Sequence, residues 1–526
     1  MTEAHRFSGG RVHTGRRTVE SLLVQDGRVV VAGTEEEARR ASPPDTEVIP
    51  LEGRVVLPGL IDAHLHLAEM TRVREGLDLT AVRSIGELQE RLEQWGHAHP
   101  KGPVVGRGWS GDQLEGRQDP TAPDLDRVIS DRPVILYHAS GHSAVLNRAA
   151  LAAVGFSDAT NDSPGSRFGR DSDGSLNGMV YERALDPVGR MVSGADPPDP
   201  AALARTVRLV NAAGLTTVGS MNTTPEEFRA LEQALRTRPT LRILCYGRPS
   251  RWSDFTATEW QSSESGHGVS LVGMKAFTDG AFGPRTAWLA EPYADSSYEV
   301  GVPALRGSEL AAFLDRCREQ RCAAALHAIG DAALGEALHA FERHGGAGPR
   351  PARIEHASLV PPSLFRLLDR VRPALVVQPG FVWTDWWLGD RLGSARTRWA
   401  YPFRTLLGRG HHLAGSSDAP FDASDPWVGL AASLHRTSPE GGSANATPEE
   451  ALSATQALDL YTLNAARALG EHDRGNLEPG ARADLVITGA SDLADAIRAG
   501  SETVRSTWVG GVCVFDRRRP DDPQLS

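Results

Sequence analysis

The chain has 526 residues, with 56 basic against 67 acidic side chains and a formal net charge of −11. That balance excludes nucleic acid as an expected partner, because phosphate binding rests on clustered Lys and Arg; 40% hydrophobic and 23% charged residues describe a globular chain too long for one small core. No apolar stretch reaches membrane length and the N-terminus MTEAHRFSGGRV lacks a signal-peptide pattern, so no membrane association and a cytoplasmic location are expected.

In chain order, the first fifty residues read as short strands and turns, with SLLVQDGRVVVAG forming a hairpin around an Asp-Gly turn. GNLEPGARADLVITG and TVRSTWVGGVCVFDRRR repeat that texture near the C-terminus. Residues 1–56 and 476–526 are therefore expected to fold together as a β-sandwich domain. Val55 to Leu67, VVLPGLIDAHLHL, reads as one apolar strand ending in His64 and His66, with Asp62 beside them. Two residues apart on a strand, the imidazoles project to one face and can share a cation, although an isolated His-x-His pair is not by itself a metal site. Ser84 to His97 has helical periodicity, with Ser84 and Glu87 spaced as a capping box. An insertion over about residues 100–200 follows, holding the strand PVILYHASGHSAVL and the polar loop NDSPGSRFGRDSDGSLNG; its length and composition suit a lid.

From residue 201 a helix-like stretch to 213 is followed by the apolar segments TTVGSMN, LRILCYG, VSLVGMKAF, CAAALHAIG, ARIEHASL, PALVVQPG and HHLAGSSDAP, most of them separated by helix-like stretches. With the opening strand they make eight, the number and order of an α/β (β/α)8 TIM-type barrel spanning residues 57–475. A doubly wound sheet also alternates, but no GxGxxG follows the first strand.

Barrel chemistry sits at the C-terminal ends of the strands. There the sequence places His64 and His66 on the first, Lys275 on the fourth, His327 on the fifth, His356 on the sixth and Asp418 on the eighth. Imidazole and carboxylate together suit zinc, manganese, iron or nickel. Lys275 is one of only two lysines, the other being Lys101, in a chain that writes every other positive charge as arginine. A buried lysine, unlike arginine, can lose its proton and add carbon dioxide as a carbamate, an anionic two-oxygen ligand. A Schiff base with a carbonyl substrate is the rival use of that amine. Cys245, Cys317, Cys322 and Cys513 show no paired spacing and read as small buried hydrophobes.

The ordered set PGLIDAHLHL, KAFTDGAFGPRTA, HAIGD, RIEHA and GSSDAP resembles the amidohydrolase superfamily, and within it the YtcJ-like branch, amidohydrolase family 3. GWSGDQ, LYHASGHSAVLNRAAL, GSLNGMVYERAL, EPYAD, YTLNAARALG and GNLEPGARADLVI extend the resemblance over nearly the whole chain. The resemblance implies a metal-dependent hydrolase: His64 and His66 on a buried ion with Asp418 as axial ligand and proton shuttle, His327 and His356 on a second, and carboxylated Lys275 between them. One or two divalent ions, zinc foremost, are implied, with water activated for attack on an amide carbonyl.

Substrate contacts are expected from His142 in SGHSAV, Arg285 in FGPRTA, and the loop FVWTDWWLGDR with Trp383, Trp386 and Trp387; Asp331 reads better as a helix cap. The expected reaction is hydrolysis of the C–N bond in an N-substituted formamide or N-acyl amine. Deaminases of the same fold place a Glu beside the fifth-strand His, where HAIGD has none. A non-catalytic scaffold would be expected to lose ligands, and none is missing. A small-molecule substrate and a homodimer complete the expectations.

Overall fold

Gly59 divides the stretch VVLPGLIDAHLHL into two strands, which corrects the expectation of one. Val55–Pro58 pairs antiparallel with Leu485–Thr488 and parallel with Arg11–His13 in a terminal sheet, whereas Leu60–Leu65 opens the barrel. A Cβ at Gly59 would lie 2.4 Å from Thr216 Oγ1 on the neighbouring barrel strand, so only glycine lets the chain cross between the sheets there. The computed structural model describes residues 4–163, 165–193, 197–261, 268–345, 350–438 and 447–519.

Strands from both ends of the chain build the terminal layers. A six-stranded sheet combines Arg11–His13, Thr18–Val19 and Val55–Pro58 with Leu485–Thr488, Val504–Val509 and Val512–Asp516; a four-stranded sheet comes from the first fifty residues. Phe7, Leu22, Val56, Leu485 and Trp508 share one buried cluster between them. The expected domain limits at residues 1 and 526 lie outside the described residues.

The eight strands expected from the sequence are all present and parallel: Leu60–Leu65, Leu215–Thr223, Arg242–Gly247, Val269–Phe277, Ala323–Ala328, Arg353–His356, Ala374–Val377 and Leu413–Gly415, paired in that order. The first and last are joined by backbone bonds just beyond the ladder, Asp418 N–H to His64 O (2.8 Å) and His66 N–H to Ala419 O (2.7 Å). Asp62 completes the seam. Its fully buried carboxylate accepts from His64 N–H (3.0 Å) and Ser417 N–H (3.1 Å).

The insertion is a folded layer in its own right. Its six-stranded sheet runs from Leu77–Asp78 to Leu176–Glu182, and the helix Ile85–Ala98 packs Leu88 and Leu92 into its core, so the inserted unit starts ahead of residue 100. Ser84 caps that helix as expected, accepting from Glu87 N–H (3.1 Å), while Glu87 reaches Arg83 N–H (2.7 Å) rather than the Ser84 backbone. The polar loop of the sequence reading is instead a hairpin of Ser166–Arg170 on Leu176–Glu182. Its polarity follows from the place of Ser166–Arg170 at the sheet edge, where Phe168 is the one buried residue of that strand. Cys245, Cys317 and Cys322 are free and buried, as expected, whereas Cys513 is free but only half-buried, and among the described residues no helix is long and apolar enough to cross a membrane.

Candidate metal centre

The strand order brings the predicted side chains to one end of the barrel. Within the ladder Phe277 is opposite His327, and His327 is opposite Glu355, so neighbouring strands deliver their groups at one level. The rings of His64 and His356 lie 5.2 Å apart, and those of His327 and His356 4.4 Å apart. His64 Nε2 and His66 Nε2 both stand 3.1 Å from Asp418 Oδ1. Donor atoms of His64, His356 and Asp418 fall within 4.8 Å of one another. His356 and Asp418 hold left-handed backbone conformations, φ 75° and 60°, the kind of strain retained where a side chain must be aimed.

Hydrogen bonds behind the imidazoles fix which nitrogen faces inward. His64 Nδ1–H donates to Glu355 Oε2 (2.7 Å), and His356 Nδ1–H donates to Gln378 Oε1 (2.7 Å), whose own amide nitrogen donates to Ser416 Oγ (2.9 Å). Both rings therefore turn an Nε2 lone pair into the site. At His64 that lone pair has no hydrogen-bond donor and faces a carboxylate oxygen, two acceptors 3.1 Å apart. With His64 neutral such an arrangement is repulsive without a cation among them, so the donor set fits a metal ion. His327 is turned the other way: Nε2–H donates to Gly280 O (2.9 Å), leaving Nδ1 as its available donor atom.

Glu355 is itself held by the wholly buried Arg353, through Nε to Oε1 (2.9 Å) and Nη2 to Oε2 (3.0 Å). Burial alone would raise its pKa, but Arg353 and His64 hold the carboxyl well below the usual range, keeping it an acceptor. Carboxylates behind metal-binding histidines set tautomer and basicity. Glu355→Gln is accordingly expected to weaken metal affinity by about tenfold or more, read by competition with a chelator; unchanged affinity would remove Glu355 from that role.

Lys275 is 1% exposed, and its ammonium adds repulsion to His66, His327 and His356 alike. Burial pushes its pKa down to about 8 despite the opposing pull of Glu355 and Asp418. A cation amid three imidazoles is a poor occupant; the same amine as an anionic carbamate would reverse the sign of every one of those interactions.

Of the substrate-contact candidates, His142 reaches the centre: its ring lies 4.9 Å from that of His327 and 5.8 Å from Phe277. Arg285 is instead paired with Asp295 (2.7 Å) in an ionic network that Arg391 extends to Asp112 of the inserted layer (3.0 Å). Trp383 donates its indole N–H to His435 O (2.6 Å), Trp386 is exposed beneath Arg117, and Trp387 is buried. The aromatic of that loop which does reach the donors is Phe381, parallel to His356 with centroids 6.3 Å apart. Phe277 and Phe421 flank His327 and His66 at 5.0 Å. Asp331 does not cap its helix as expected: Gly330 is the N-cap of Asp331–His344 without a side-chain cap bond, and the Asp331 carboxylate instead ties down the preceding loop by accepting from Ala290 N–H (3.0 Å).

Sequence reasoning missed Arg353, Glu355, Gln378 and these phenylalanines. Its one available signal was the alternation of Arg353, Glu355 with Ile354, His356 in a short strand: two charges on one face of a segment buried on both faces must be paired.

Comparison with known proteins agrees with this architecture. The amidohydrolase family model matches residues 47–515. The chain is 31% identical to the protein YtcJ of Bacillus subtilis (strain 168), over 97% of this chain and 99% of that one, and 28% identical to an N-substituted formamide deformylase of Arthrobacter pascens, over 95% of each. A crystal structure of an uncharacterized metal-dependent hydrolase from Pyrococcus horikoshii OT3 superposes with a TM-score of 0.77 at 29% identity, covering 94% of this chain and 99% of that one. The barrel, the strand-end donor set and the match across nearly the full length place this chain in the amidohydrolase family, hydrolases acting on carbon–nitrogen bonds.

Proposed function

We propose that this protein hydrolyses the C–N bond of an N-substituted formamide or a closely related N-acyl amine. It would use one or two divalent ions, zinc foremost, held by His64, His66, carboxylated Lys275, His327, His356 and Asp418. The observation that carries the reading is His64 Nε2, buried without a hydrogen-bond partner and 3.1 Å from Asp418 Oδ1, with a His356 donor atom gathered beside them. Bound there, the metal supplies Lewis acidity and a water of lowered pKa.

The chain's own residues account for the rest. Asp418, on its left-handed turn beside both histidines of the first strand, would accept the proton of the attacking water and return it to the departing amine, a role its position supports. Glu355 and Gln378 hold the tautomers of His64 and His356. Phe277, Phe381 and Phe421 give the mouth apolar walls that exclude bulk water and suit an apolar N-substituent. The similarity to a formamide deformylase supports the formyl class.

The test is metal analysis of protein purified without chelators, followed by a screen of formamides, N-acyl amino acids and cyclic ureides at fixed metal content. About two equivalents of metal and turnover of formamides are expected. Protein without bound metal would sink the hydrolase mechanism, and turnover confined to cyclic ureides would overturn the formamide class.

A further inference from the structure

The inserted layer touches the barrel mouth at two places through one short loop. Gly141, in a left-handed conformation (φ 70°), packs against Phe421, which edges His66; a Cβ there would lie 2.5 Å from the phenyl ring. Its neighbour His142 crosses to the fourth and fifth strands, beside Phe277 and His327. The loop thus bridges both sides of the donor cluster.

His142 is held from behind. Its Nδ1–H donates to Glu182 Oε2 (3.0 Å), and Glu182 N–H donates to the His142 carbonyl (3.0 Å), so residue 182 grips both the ring and the backbone of residue 142. Glu182 ends the strand Leu176–Glu182 in a left-handed conformation (φ 54°) that a non-glycine residue keeps only where the surroundings enforce it. Its side chain is 6% exposed, and its second oxygen, Oε1, has no hydrogen-bond partner. That oxygen rests on Gly280, where a Cβ would approach it to 2.0 Å; Gly280 is also the residue whose carbonyl receives His327. A strained, buried and half-satisfied carboxylate is a poor structural element, but it is the arrangement that sets an imidazole's tautomer and ring plane. With Nδ1 taken, Nε2 is the atom of His142 left to meet a ligand.

We propose that His142 and Glu182 form a substrate-contacting pair supplied by the inserted layer, in which His142 Nε2 hydrogen-bonds the scissile amide group and Glu182 is the positioning residue. The inference rests on the amide-hydrolase reading and assigns the inserted layer a direct part in it. Covering the mouth would then be only half of its role. Burial lowers the His142 pKa, but Glu182, with Asp279 and Asp418, more than offsets it and raises it, in keeping with the short Nδ1–Oε2 contact.

The experiment uses the metal-loaded full chain with N-phenethylformamide as probe, and compares wild type with His142→Ala, Glu182→Ala, Glu182→Gln and the double alanine variant. Metal content and thermal midpoint are measured for each. Both single alanine variants are expected to lose about 100-fold in kcat with little change in KM, at wild-type metal content. Glu182→Gln, whose amide oxygen still accepts the Nδ1 proton, is expected to recover at least about a tenth of wild-type kcat. The double variant is expected to be no slower than His142→Ala, because Glu182 acts only through His142. A His142→Ala enzyme with wild-type kcat, or a double-variant loss equal to the product of the two single losses, would overturn the pair. Metal-loaded wild type that turns over neither this probe nor the other amides overturns the underlying reading, an outcome separate from failure of the pair alone. Should Glu182→Ala lose its metal or fold, Glu182→Gln decides: a loss as large as that of His142→Ala defeats the positioning role.

Discussion

Lys275→Arg is expected to lower kcat/KM by about 10³-fold or more, several kcal/mol of lost transition-state stabilisation, although the positive charge is kept. Lys275 is 1% exposed, and burial brings its pKa to about 8. Roughly a tenth of the amine is then neutral at pH 7, enough to react with carbon dioxide. Arginine has no accessible neutral form, so it can neither add carbon dioxide nor offer a lone pair. It would also leave a permanent cation among His66, His327 and His356. Metal content should fall along with activity if a carbamate on Lys275 is one of the ligands, since arginine cannot form it. Near-wild-type turnover in Lys275→Arg, at full metal content, would rule out the carbamate.

Asp418→Asn is expected to lower kcat by about 10³-fold, the range of a lost general acid–base group. The substitution is conservative in shape, and asparagine tolerates the left-handed conformation that Asp418 adopts (φ 60°), so the turn itself should survive. The chemistry changes completely. An amide cannot take the proton of the attacking water, and its NH₂ would donate into His64 Nε2 or His66 Nε2, both 3.1 Å from the present Oδ1. The checks are kcat and bound metal for the variant at neutral pH. Wild-type kcat with a full complement of metal would remove Asp418 from proton transfer.

The barrel was legible in the sequence because its strands are short apolar segments alternating with amphipathic stretches, and because Leu60–Leu65, Val269–Phe277 and Ala323–Ala328 each carry a chemical side chain near their C-terminal end. The scarcity of lysine made Lys275 stand out in the same way. In the aromatic loop, tryptophan buries large area wherever it sits: Trp383, Trp386 and Trp387 meet His435, Arg117 and Arg391, while the smaller Phe381 lies against His356. Arg285 was drawn off by Asp295, a pairing that depends on how the loop after the fourth strand folds back. The break at Gly59 was invisible because an apolar run gives no sign of which sheet each half will join.

Sequence by itself determined which groups stand at the barrel mouth, since period-two alternation and the polarity of parallel strands place strand-end residues together whatever the details of packing. Only the tertiary structure decided what state those groups are in. The tautomer of His64 is set by Glu355, 291 residues away in the chain, that of His356 by Gln378 just past the end of the next strand, and that of His142 by Glu182 in the inserted layer. Protonation and tautomer depend on desolvation and on partners within hydrogen-bond reach, and those partners exist only once distant strands have been brought side by side.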